Sequence, residues 1–370
     1  MIIFSDQSPT STEQMKSMAA EVHQHRNGHA NGKKAGLFDM FYNDIAIDLG
    51  TVNTLIATKR NGIVYSEPSV IAFNSQGSPV SFGREAWQMH EKTHSELRTV
   101  RPLKDGVIAD FEAAEHMLRG MIKSARKKWY SSTRQMVICV PSGITDVEKR
   151  AVRDSAEHAG AREVHMVEEP MAAAIGAGLP VHEPKGSMIV DIGGGTTEIA
   201  VIALSGIVNS QSVRLAGDKL TDDIIHYFRR IHNLLIGYRT AEQIKCEIGS
   251  ASPLGEELEM DIKGRDLVKG IPKTLRVSSE DVRSAISQSV NLIVESILGS
   301  LEATPPELAG DILDNGIVLA GGGALLKNLD RRIAERTGLP VYIAEDPLTA
   351  VVRGTGAVLD DLEYYRAVLV

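Results

Sequence analysis

The sequence predicts an α/β protein of two similar lobes that face a shared cleft. With 370 residues, the chain is longer than one compact core usually serves. Short apolar runs typical of strands alternate with helical patterns, as they do in α/β folds. The strongest indication is an internal repeat, because two copies of one strand–turn–strand unit imply two related lobes.

Each copy of the repeat is an apolar strand that ends in an aspartate, followed by a glycine-containing turn and a second strand. The first copy spans residues 45–57 and the second spans residues 188–200. Asp48 in the first copy matches Asp191 in the second, and both begin an Asp-x-Gly sequence. We therefore expect the two turns to face one another across the cleft.

The chemistry of the two turns favours a phosphate ligand. Glycine lets backbone N–H groups approach a phosphate closely, and hydroxyl groups add further donors. Carboxylates just before the turns suit Mg²⁺, directly or through its waters. The alternative is that each aspartate only caps its turn. The sequence contains no Gly-x-x-x-x-Gly-Lys-[Ser/Thr] motif, which excludes a Walker-type site. The predicted nucleotide-binding residues in these turns are Asp48, Gly50, Thr51, Val52, Asn53, Asp191, Gly193, Gly194, Gly195 and Thr196.

A third glycine-rich turn follows another predicted strand. Residues 317–320 form a short apolar run, Gly321-Gly322-Gly323 follows it, and residues 324–336 have a helical pattern that Gly338 and Pro340 end. Further strands are predicted at 136–140 and 164–167. Further helices are predicted from the Thr145–Glu148 capping box to Gly160, over 171–178 and over 278–301.

Glu169 is the strongest candidate for acting on water. It ends a predicted strand where a helix begins, and Pro170 suits the first turn of that helix. Hydrolysis of a nucleotide needs an acceptor that positions the attacking water. The alternative is that Glu169 only complements the helix dipole, and its position alone does not separate these interpretations.

Composition and short motifs exclude several classes of function. The net charge of −8 gives no support to nucleic-acid binding. Cys139 lies in an apolar run, which indicates a buried thiol in a reducing compartment. The sequence has no apolar run of about 18 residues that would span a membrane. Residues 90–94 match the zinc-protease pattern H-E-x-x-H, but their surroundings are polar and no third ligand stands out.

The N-terminal region predicts a disordered tail followed by a segment that lies at a membrane interface. Residues 1–36 are predicted to be the tail because residues 5–32 are rich in polar side chains and glycine. Two basic and aromatic segments, one after Lys33-Lys34 and one after Arg126-Lys127-Lys128, suit weak insertion into lipid, although ordinary packing is the alternative. The predicted membrane residues are Leu37, Phe38, Met40, Phe41, Trp129 and Tyr130.

Taken in order, these motifs resemble the MreB family of bacterial actins, within the superfamily of actins, sugar kinases and heat-shock chaperone ATPases. Matches run from about residue 44 to about residue 362, and Val52 stands where the family commonly has alanine. Each motif is modestly specific, whereas the ordered set is highly specific. The matching segments are residues 48–54, 101–110, 168–176, 191–198, 239–242 and 321–323.

The resemblance implies an actin-like ATPase fold with a smaller subdomain in each lobe. It implies lobe I over 37–183 with a subdomain at about 71–103, lobe II over 184–348 with a subdomain at about 219–282, and a segment 349–370 that returns to lobe I. It also implies that ATP or ADP binds with Mg²⁺ held by Asp48 and Asp191, and that Glu169 and Thr196 act on water. The resemblance adds adenosine contacts at Glu242, Gln243, Ile244, Lys245, Gly321, Gly322, Gly323 and Ala324.

As a function, the resemblance implies a slow ATPase that assembles into filaments, with paired protofilaments, on the inner face of the cytoplasmic membrane. It implies a role in rod shape through peptidoglycan synthesis, with MreC, MreD, RodZ and the elongation machinery as partners and no nucleic acid. A sugar kinase and a chaperone-like ATPase are the alternatives within the superfamily. A kinase needs an acceptor pocket that the sequence does not suggest, and a chaperone needs a substrate domain for which we expect too little length.

Overall fold

The computed structural model describes residues 44–90, 92, 96–125 and 133–370. In chain order, the strands are β1 (Ile45–Leu49), β2 (Asn53–Thr58), β3 (Gly62–Pro68), β4 (Ile71–Asn74), β5 (Pro79–Phe82), β6 (Leu97–Val100), β7 (Leu103–Lys104), β8 (Val107–Ile108), β9 (Thr133–Val140), β10 (Ala161–Glu168), β11 (Ser187–Ile192), β12 (Thr197–Ala203), β13 (Gly206–Val213), β14 (Leu234–Leu235), β15 (Glu259–Asp266), β16 (Pro272–Ser278), β17 (Ile317–Ala320) and β18 (Val341–Ile343). The helices are α1 (Arg84–Met89), α2 (Phe111–Ala125), α3 (Asp146–His158), α4 (Glu169–Gly176), α5 (Gly217–Ile231), α6 (Tyr238–Ile248), α7 (Ser279–Glu302), α8 (Pro306–Asn315), α9 (Leu329–Thr337) and α10 (Ala350–Asp360).

Two five-stranded sheets form the centres of two lobes. The strand order is β10-β9-β1-β2-β3 in lobe I and β13-β12-β11-β17-β18 in lobe II. In each sheet one copy of the sequence repeat forms a central antiparallel hairpin, β1–β2 or β11–β12. A parallel strand, β9 or β17, pairs with the other edge of the first strand of each hairpin. This matched arrangement confirms the prediction of two similar lobes in an α/β fold.

Two smaller sheets are inserted into the lobes. The sheet β5-β4-β6 lies in the chain between β3 and β9, and the sheet β14-β15-β16 lies between β13 and β17. A two-stranded ribbon, β7-β8, follows the first insertion. In each lobe, the smaller sheet is therefore inserted in sequence between two strands of the main sheet. The residue boundaries of the subdomains stay a prediction.

Local sequence signals explain how several helices begin. The Thr145 hydroxyl accepts from the backbone N–H of Glu148, and the Glu148 carboxylate accepts from the N–H of Thr145, which forms the predicted capping box at the start of α3. Ser278 and Asp281 form a second capping box at the start of α7. The apolar face of α7 is buried in the core of lobe II, at Val282, Ile286, Val290, Ile293 and Ile297.

The helix predicted over residues 324–336 is wrong in its first part. A 3-10 turn covers Gly322–Leu325, and the α-helix α9 begins only at Leu329. Asn328, immediately before α9, adopts the left-handed conformation with φ of 58°. A residue in that conformation interrupts an α-helix, so the continuous apolar pattern of the sequence is divided into two elements.

Helices α4 and α10 cross between the two main sheets at a pair of glycines. Helix α4 contacts β11 and β12, and helix α10 contacts β1 and β9. An added Cβ at Gly354 would lie 1.8 Å from the carbonyl oxygen of Ala172, and one at Gly176 would lie 1.8 Å from that of Ala350. The two backbones approach so closely that a side chain at either glycine has no space.

We expect Gly354→Ala to destabilise the protein by about 1–3 kcal/mol, because a rigid backbone carbonyl has to move. The matched control is Gly310→Ala in α8, where an added Cβ meets nothing within 4 Å. That control should stabilise the protein by about 0.5–1 kcal/mol, because a helix is more stable with alanine than with glycine in its interior. Urea unfolding measures both changes, and equal effects of the two substitutions would contradict the steric explanation.

Candidate functional site

The two aspartate-ended hairpins have the same register in the two lobes. Asp48 pairs with Leu55 across β1 and β2, and Asp191 pairs with Glu198 across β11 and β12. The backbone N–H of Gly193 donates to the carbonyl of Thr196 at 2.9 Å, which closes the second turn. The two aspartates are therefore held at equivalent places, each two residues before the first glycine of its turn.

The turns of the two hairpins lie against one another. An added Cβ at Gly194 would lie 2.1 Å from Cγ2 of Val52, and one at Gly195 would lie 2.6 Å from Oγ1 of Thr51. These glycines are required because any larger residue would push the turns apart. The structure thus brings residues 50–53 and 193–196 together at the boundary of the lobes.

Ser69 supports the first turn from behind. Its hydroxyl donates to the carbonyl of Gly50 at 2.6 Å, and its backbone N–H donates to the carbonyl of Val52 at 2.8 Å. The hydroxyl also bonds Oγ1 of Thr54 at 2.8 Å. Both carbonyls are thus directed toward Ser69 and fixed there.

Asp48 and Asp191 both lie behind these turns, and the charge of Asp48 acts on Asp191. Burial raises the pKa of Asp48 to about 6, although the Cys139 thiol, which donates to Oδ1 at 3.4 Å, acts in the opposite direction. Burial and then the charges of Asp48 and Glu198 raise the pKa of Asp191 to about 8. Asp191 is only 6% exposed. Such a pair of acids favours a cation between them.

The residues present suit a hard divalent cation such as Mg²⁺. Oδ1 of Asp191 is buried and has no hydrogen-bond partner among the residues that the structure describes. Within the described part of the chain, no three His, Cys, Asp or Glu side chains are grouped to hold a metal by themselves. Mg²⁺ commonly takes one or two carboxylates and completes its octahedron with water and substrate phosphate. Two aspartates beside a turn that suits phosphate agree with this coordination preference.

The third glycine-rich turn abuts the same aspartate. Gly321 has a φ of 76°, and an added Cβ there would lie 2.4 Å from Oδ1 of Asp191. An added Cβ at Gly323 would lie 2.1 Å from Cγ2 of Ile192. Ala324 is buried. The turn at 321–323 therefore lies beside the second hairpin.

Glu169 lies among these acids, at the junction of β10 and α4. It is half-buried, and Pro170 follows it in the first turn of α4. Burial, followed by the charges of Glu198, Asp48 and Asp191, raises the pKa of Glu169 well above its usual range. A carboxylate with a raised pKa in a cleft is a stronger base than a solvated one, which suits it to accept hydrogen bonds from water.

Glu198 is a further buried acid of this site, and the sequence motifs do not single it out. It is 1% exposed, it accepts a hydrogen bond from the Ser212 hydroxyl at 2.6 Å, and the backbone N–H of Ser142 donates to it at 3.4 Å. Burial raises its pKa. The available signal was a charged residue inside the apolar strand β12, where the matching position of the first hairpin holds Leu55.

The loop at Asp105 and Gly106 is a second part of the site that was not predicted from the sequence. The backbone N–H of Gly106 donates to Oγ1 of Thr51 at 3.1 Å. An added Cβ at Gly106 would lie 3.0 Å from Cγ2 of Thr196, and one at Gly195 would lie 3.0 Å from Cα of Asp105. This lobe I loop therefore touches both turns. An Asp-Gly pair is a turn signal, and both residues have positive φ.

The predicted adenosine residues on α6 divide into two groups. Glu242 accepts from Lys245 Nζ at 2.6 Å and from the Thr221 hydroxyl at 2.6 Å, and Lys245 also donates to the carbonyl of Gly217 at 2.9 Å. The backbone N–H of Gly217 in turn donates to the carbonyl of Gly193 at 3.1 Å. Glu242 and Lys245 are thus connected to the second phosphate-type turn through the start of α5.

The side chains of the other two residues of that prediction have different surroundings. Ile244 is fully buried in the core of lobe II, so its side chain does not face the cleft. Gln243 donates to Glu247 at 2.8 Å and, like Glu242, lines an open cleft of about 590 Å³ between lobe I and lobe II. Trp87 and His90 line the opposite side of that cleft.

The predicted membrane residues lie outside the described residues, as do Glu91 and His94 of the H-E-x-x-H sequence. Within that sequence, His90 bonds Oγ1 of Thr99 through Nδ1 at 2.9 Å and stacks on Trp87. Across the part of the chain that the structure describes, no helix combines the length and apolarity needed to cross a bilayer.

Comparison with known proteins decides the family. The family model of the MreB/Mbl protein matches residues 42–367 of this chain. The chain belongs to the MreB/Mbl family. It is 52% identical over 332 residues to the cell shape-determining protein MreB of Escherichia coli strain K12, covering 88% of this chain and 96% of that protein.

Solved structures agree with membership of the MreB/Mbl family and with the actin-like fold. MreB 5 of Spiroplasma citri bound to AMPPNP has a TM-score of 0.83 and 41% identity, covering 87% of this chain and 97% of that one. The MamK double helical filament has a TM-score of 0.74 and 25% identity, covering 86% and 99%. The family resemblance expected from the sequence motifs is confirmed, and the kinase and chaperone alternatives are not favoured.

Proposed function

We propose that this bacterial actin binds and slowly hydrolyses ATP, and that it assembles into filaments on the inner face of the cytoplasmic membrane. In the cell, the filament maintains rod shape by organising peptidoglycan synthesis. The observation that carries the proposal is the contact between the turns at 50–53 and 193–196, with Asp48 and Asp191 behind them. Backbone N–H groups of facing turns can hold phosphates from two sides.

The proposed binding mode assigns each part of the cleft a separate task. Asp48 and Asp191 hold Mg²⁺, which neutralises phosphate charge when it is bound. Glu169 accepts a hydrogen bond from the attacking water, and Thr196 assists through its hydroxyl. Glu242 and Lys245 contact the adenosine from one side, and residues 321–324 line its other side. The AMPPNP complex of the Spiroplasma relative supports a nucleotide in such a cleft.

The proposed assembly is a filament of this chain with itself, in paired protofilaments. The MamK double helical filament, whose subunit has the same fold, supports self-assembly. Residues Leu37, Phe38, Met40, Phe41, Trp129 and Tyr130 are proposed to touch the lipid, each weakly, so a filament supplies the multivalency that stable attachment needs. MreC, MreD, RodZ and the elongation machinery are the proposed protein partners.

Sedimentation tests the proposed assembly directly. With Mg²⁺ and ATP the full chain should pellet, and chelation of Mg²⁺ with EDTA should keep it in the supernatant. Anionic vesicles should increase the pelleted fraction, and a variant with both Phe41→Ser and Trp129→Ser should lose that increase while it still polymerises. A chain that stays monomeric with Mg²⁺ and ATP and phosphorylates a small alcohol would instead identify a kinase.

A further inference from the structure

Four side chains join the two lobes beside the open cleft, and we call them the mouth bridge: Trp87, Arg101, Asp218 and Tyr238. Nη2 of Arg101 donates to Oδ2 of Asp218 at 2.6 Å, and the hydroxyl of Tyr238 donates to Oδ1 of the same carboxylate. The Arg101 guanidinium lies 5.3 Å from the centre of the Tyr238 ring. Trp87 meets that ring edge-to-face at 5.9 Å. Trp87 and Arg101 belong to lobe I, whereas Asp218 and Tyr238 belong to lobe II.

The mouth bridge is connected to both phosphate-type turns. Nη2 of Arg101 also donates to the carbonyl of Thr51 in the first turn, at 3.4 Å. The backbone N–H of Asp218 donates to the carbonyl of Gly194 in the second turn, at 2.8 Å. One ion pair therefore connects the two turns through bonds made by its own residues. A separation of the lobes has to break that ion pair or pull on the turns.

The ion pair has the properties of a strong rather than a surface contact. The side chains of Arg101 and Asp218 are 21% and 25% exposed, so water screens them less than it screens a surface pair. Burial and the charge of Asp218 raise the pKa of Tyr238, so its hydroxyl keeps the proton that it donates. Asp218 also lies in the first turn of α5 and complements the helix dipole, but that role needs no partner from the other lobe.

We propose that Arg101 and Asp218 are positioning residues that hold the cleft closed over a bound nucleotide, so that the mouth bridge sets the rate at which nucleotide leaves. This inference rests on the proposed function, because it requires a nucleotide between the turns. Neither residue needs to touch the nucleotide. Their effect passes through the spacing of the turns at Thr51 and Gly194 and through the opening of the lobes.

Stopped-flow release of a fluorescent ATP analogue tests the proposal. The full chain is loaded with mant-ATP and Mg²⁺ below its polymerisation threshold and then mixed with excess unlabelled ATP. We expect Arg101→Gln and Asp218→Asn each to accelerate release about tenfold, within the usual range of coupling between sites. The double variant should release no faster than either single variant, because each substitution removes the same bond. Tyr238→Phe removes only the hydroxyl and should give a smaller acceleration.

The matched control is Arg276→Gln. Arg276 bonds Glu259 at 2.6 Å within the β15–β16 hairpin of lobe II, so its loss should leave release unchanged. Thermal unfolding checks that every variant folds, and Asp218→Asn and Tyr238→Phe change the least volume.

The outcomes separate this inference from the proposed function. Release at the wild-type rate from folded Arg101→Gln and Asp218→Asn would overturn the mouth bridge while leaving nucleotide binding intact. An acceleration of release in the double variant equal to the product of the two single accelerations would also overturn it, because such residues act independently and not through one shared ion pair. A wild-type chain that binds no mant-ATP would overturn both the inference and the proposed function.

Discussion

Replacing Glu169 with glutamine is expected to slow hydrolysis of bound ATP by about 10²-fold or more, within the range attributed to general-base side chains. Glutamine keeps the size of the side chain but loses the negative charge and the ability to accept a proton. The raised pKa of Glu169, caused first by burial and then by Glu198, makes the wild-type carboxylate a better proton acceptor than a solvated glutamate. Single-turnover release of phosphate at saturating ATP measures the change.

Nucleotide affinity should change little in the same variant, because Glu169 is proposed to act on water rather than on the nucleotide. Glu168→Gln is the matched control. Glu168 is the adjacent carboxylate, and its side chain makes no capping hydrogen bond at the start of α4. A Glu169→Gln protein that loses binding, while its turnover per bound ATP stays at the wild-type rate, would contradict the assigned role.

The sequence predicted those parts of the fold that depend on neighbouring residues. The capping box at Thr145 and Glu148 is set by residues three apart, and the strand Ile317–Ala320 is a short apolar run before glycine. The repeat was visible because both copies keep the same order of strand, aspartate and glycine. From that repeat came the prediction that the turns face each other, and the contacts of Gly194 with Val52 agree with it.

The parts that the sequence did not predict depend on contacts between distant residues or on a single backbone angle. Arg101 and Asp218 are 117 residues apart, and no periodicity relates them. The interruption before α9 depends on the left-handed conformation of Asn328, which an apolar pattern does not encode. Glu198 is 1% exposed and is bonded by Ser142 and Ser212, which are distant in the sequence, so no local pattern indicates those contacts.

Without metal and nucleotide, the buried carboxylate of Asp191 lowers the stability of the folded protein once it is ionised. Its pKa is about 8 in the folded state against an ordinary value of 3.8, so between these values the folded chain binds a proton that the unfolded chain has released. Stability therefore decreases as pH rises through this window, and it is highest at the acidic end. Asp48, with a pKa of about 6, adds to the same slope between about pH 4 and 6.

Asp191→Asn is accordingly expected to stabilise the protein in EDTA at pH 8, raising Tm by roughly 2–4 °C for about 1 kcal/mol, and to flatten the decrease of Tm between pH 5 and 8. The amide carries no charge at any of these values, so the repulsion with Asp48 and Glu198 disappears. Asp266→Asn is the control with the opposite sign. Backbone N–H groups of Lys269 and Val268 lower the pKa of that carboxyl, so its loss should not stabilise the protein.

Addition of Mg²⁺ and AMPPNP should reverse the order of stability. A ligand at 100 times its Kd stabilises the folded state by about 2.7 kcal/mol, so the wild type should gain Tm strongly. Asp191→Asn lacks a carboxylate for the metal and should gain little. Asp191→Asn would then have a higher Tm than the wild type without ligand and a lower Tm with ligand. A packing defect cannot explain this reversal, since it lowers the Tm under both conditions. Equal gains of Tm in both proteins would show that Asp191 does not hold the metal, and would leave its buried Oδ1 without a purpose in the cleft.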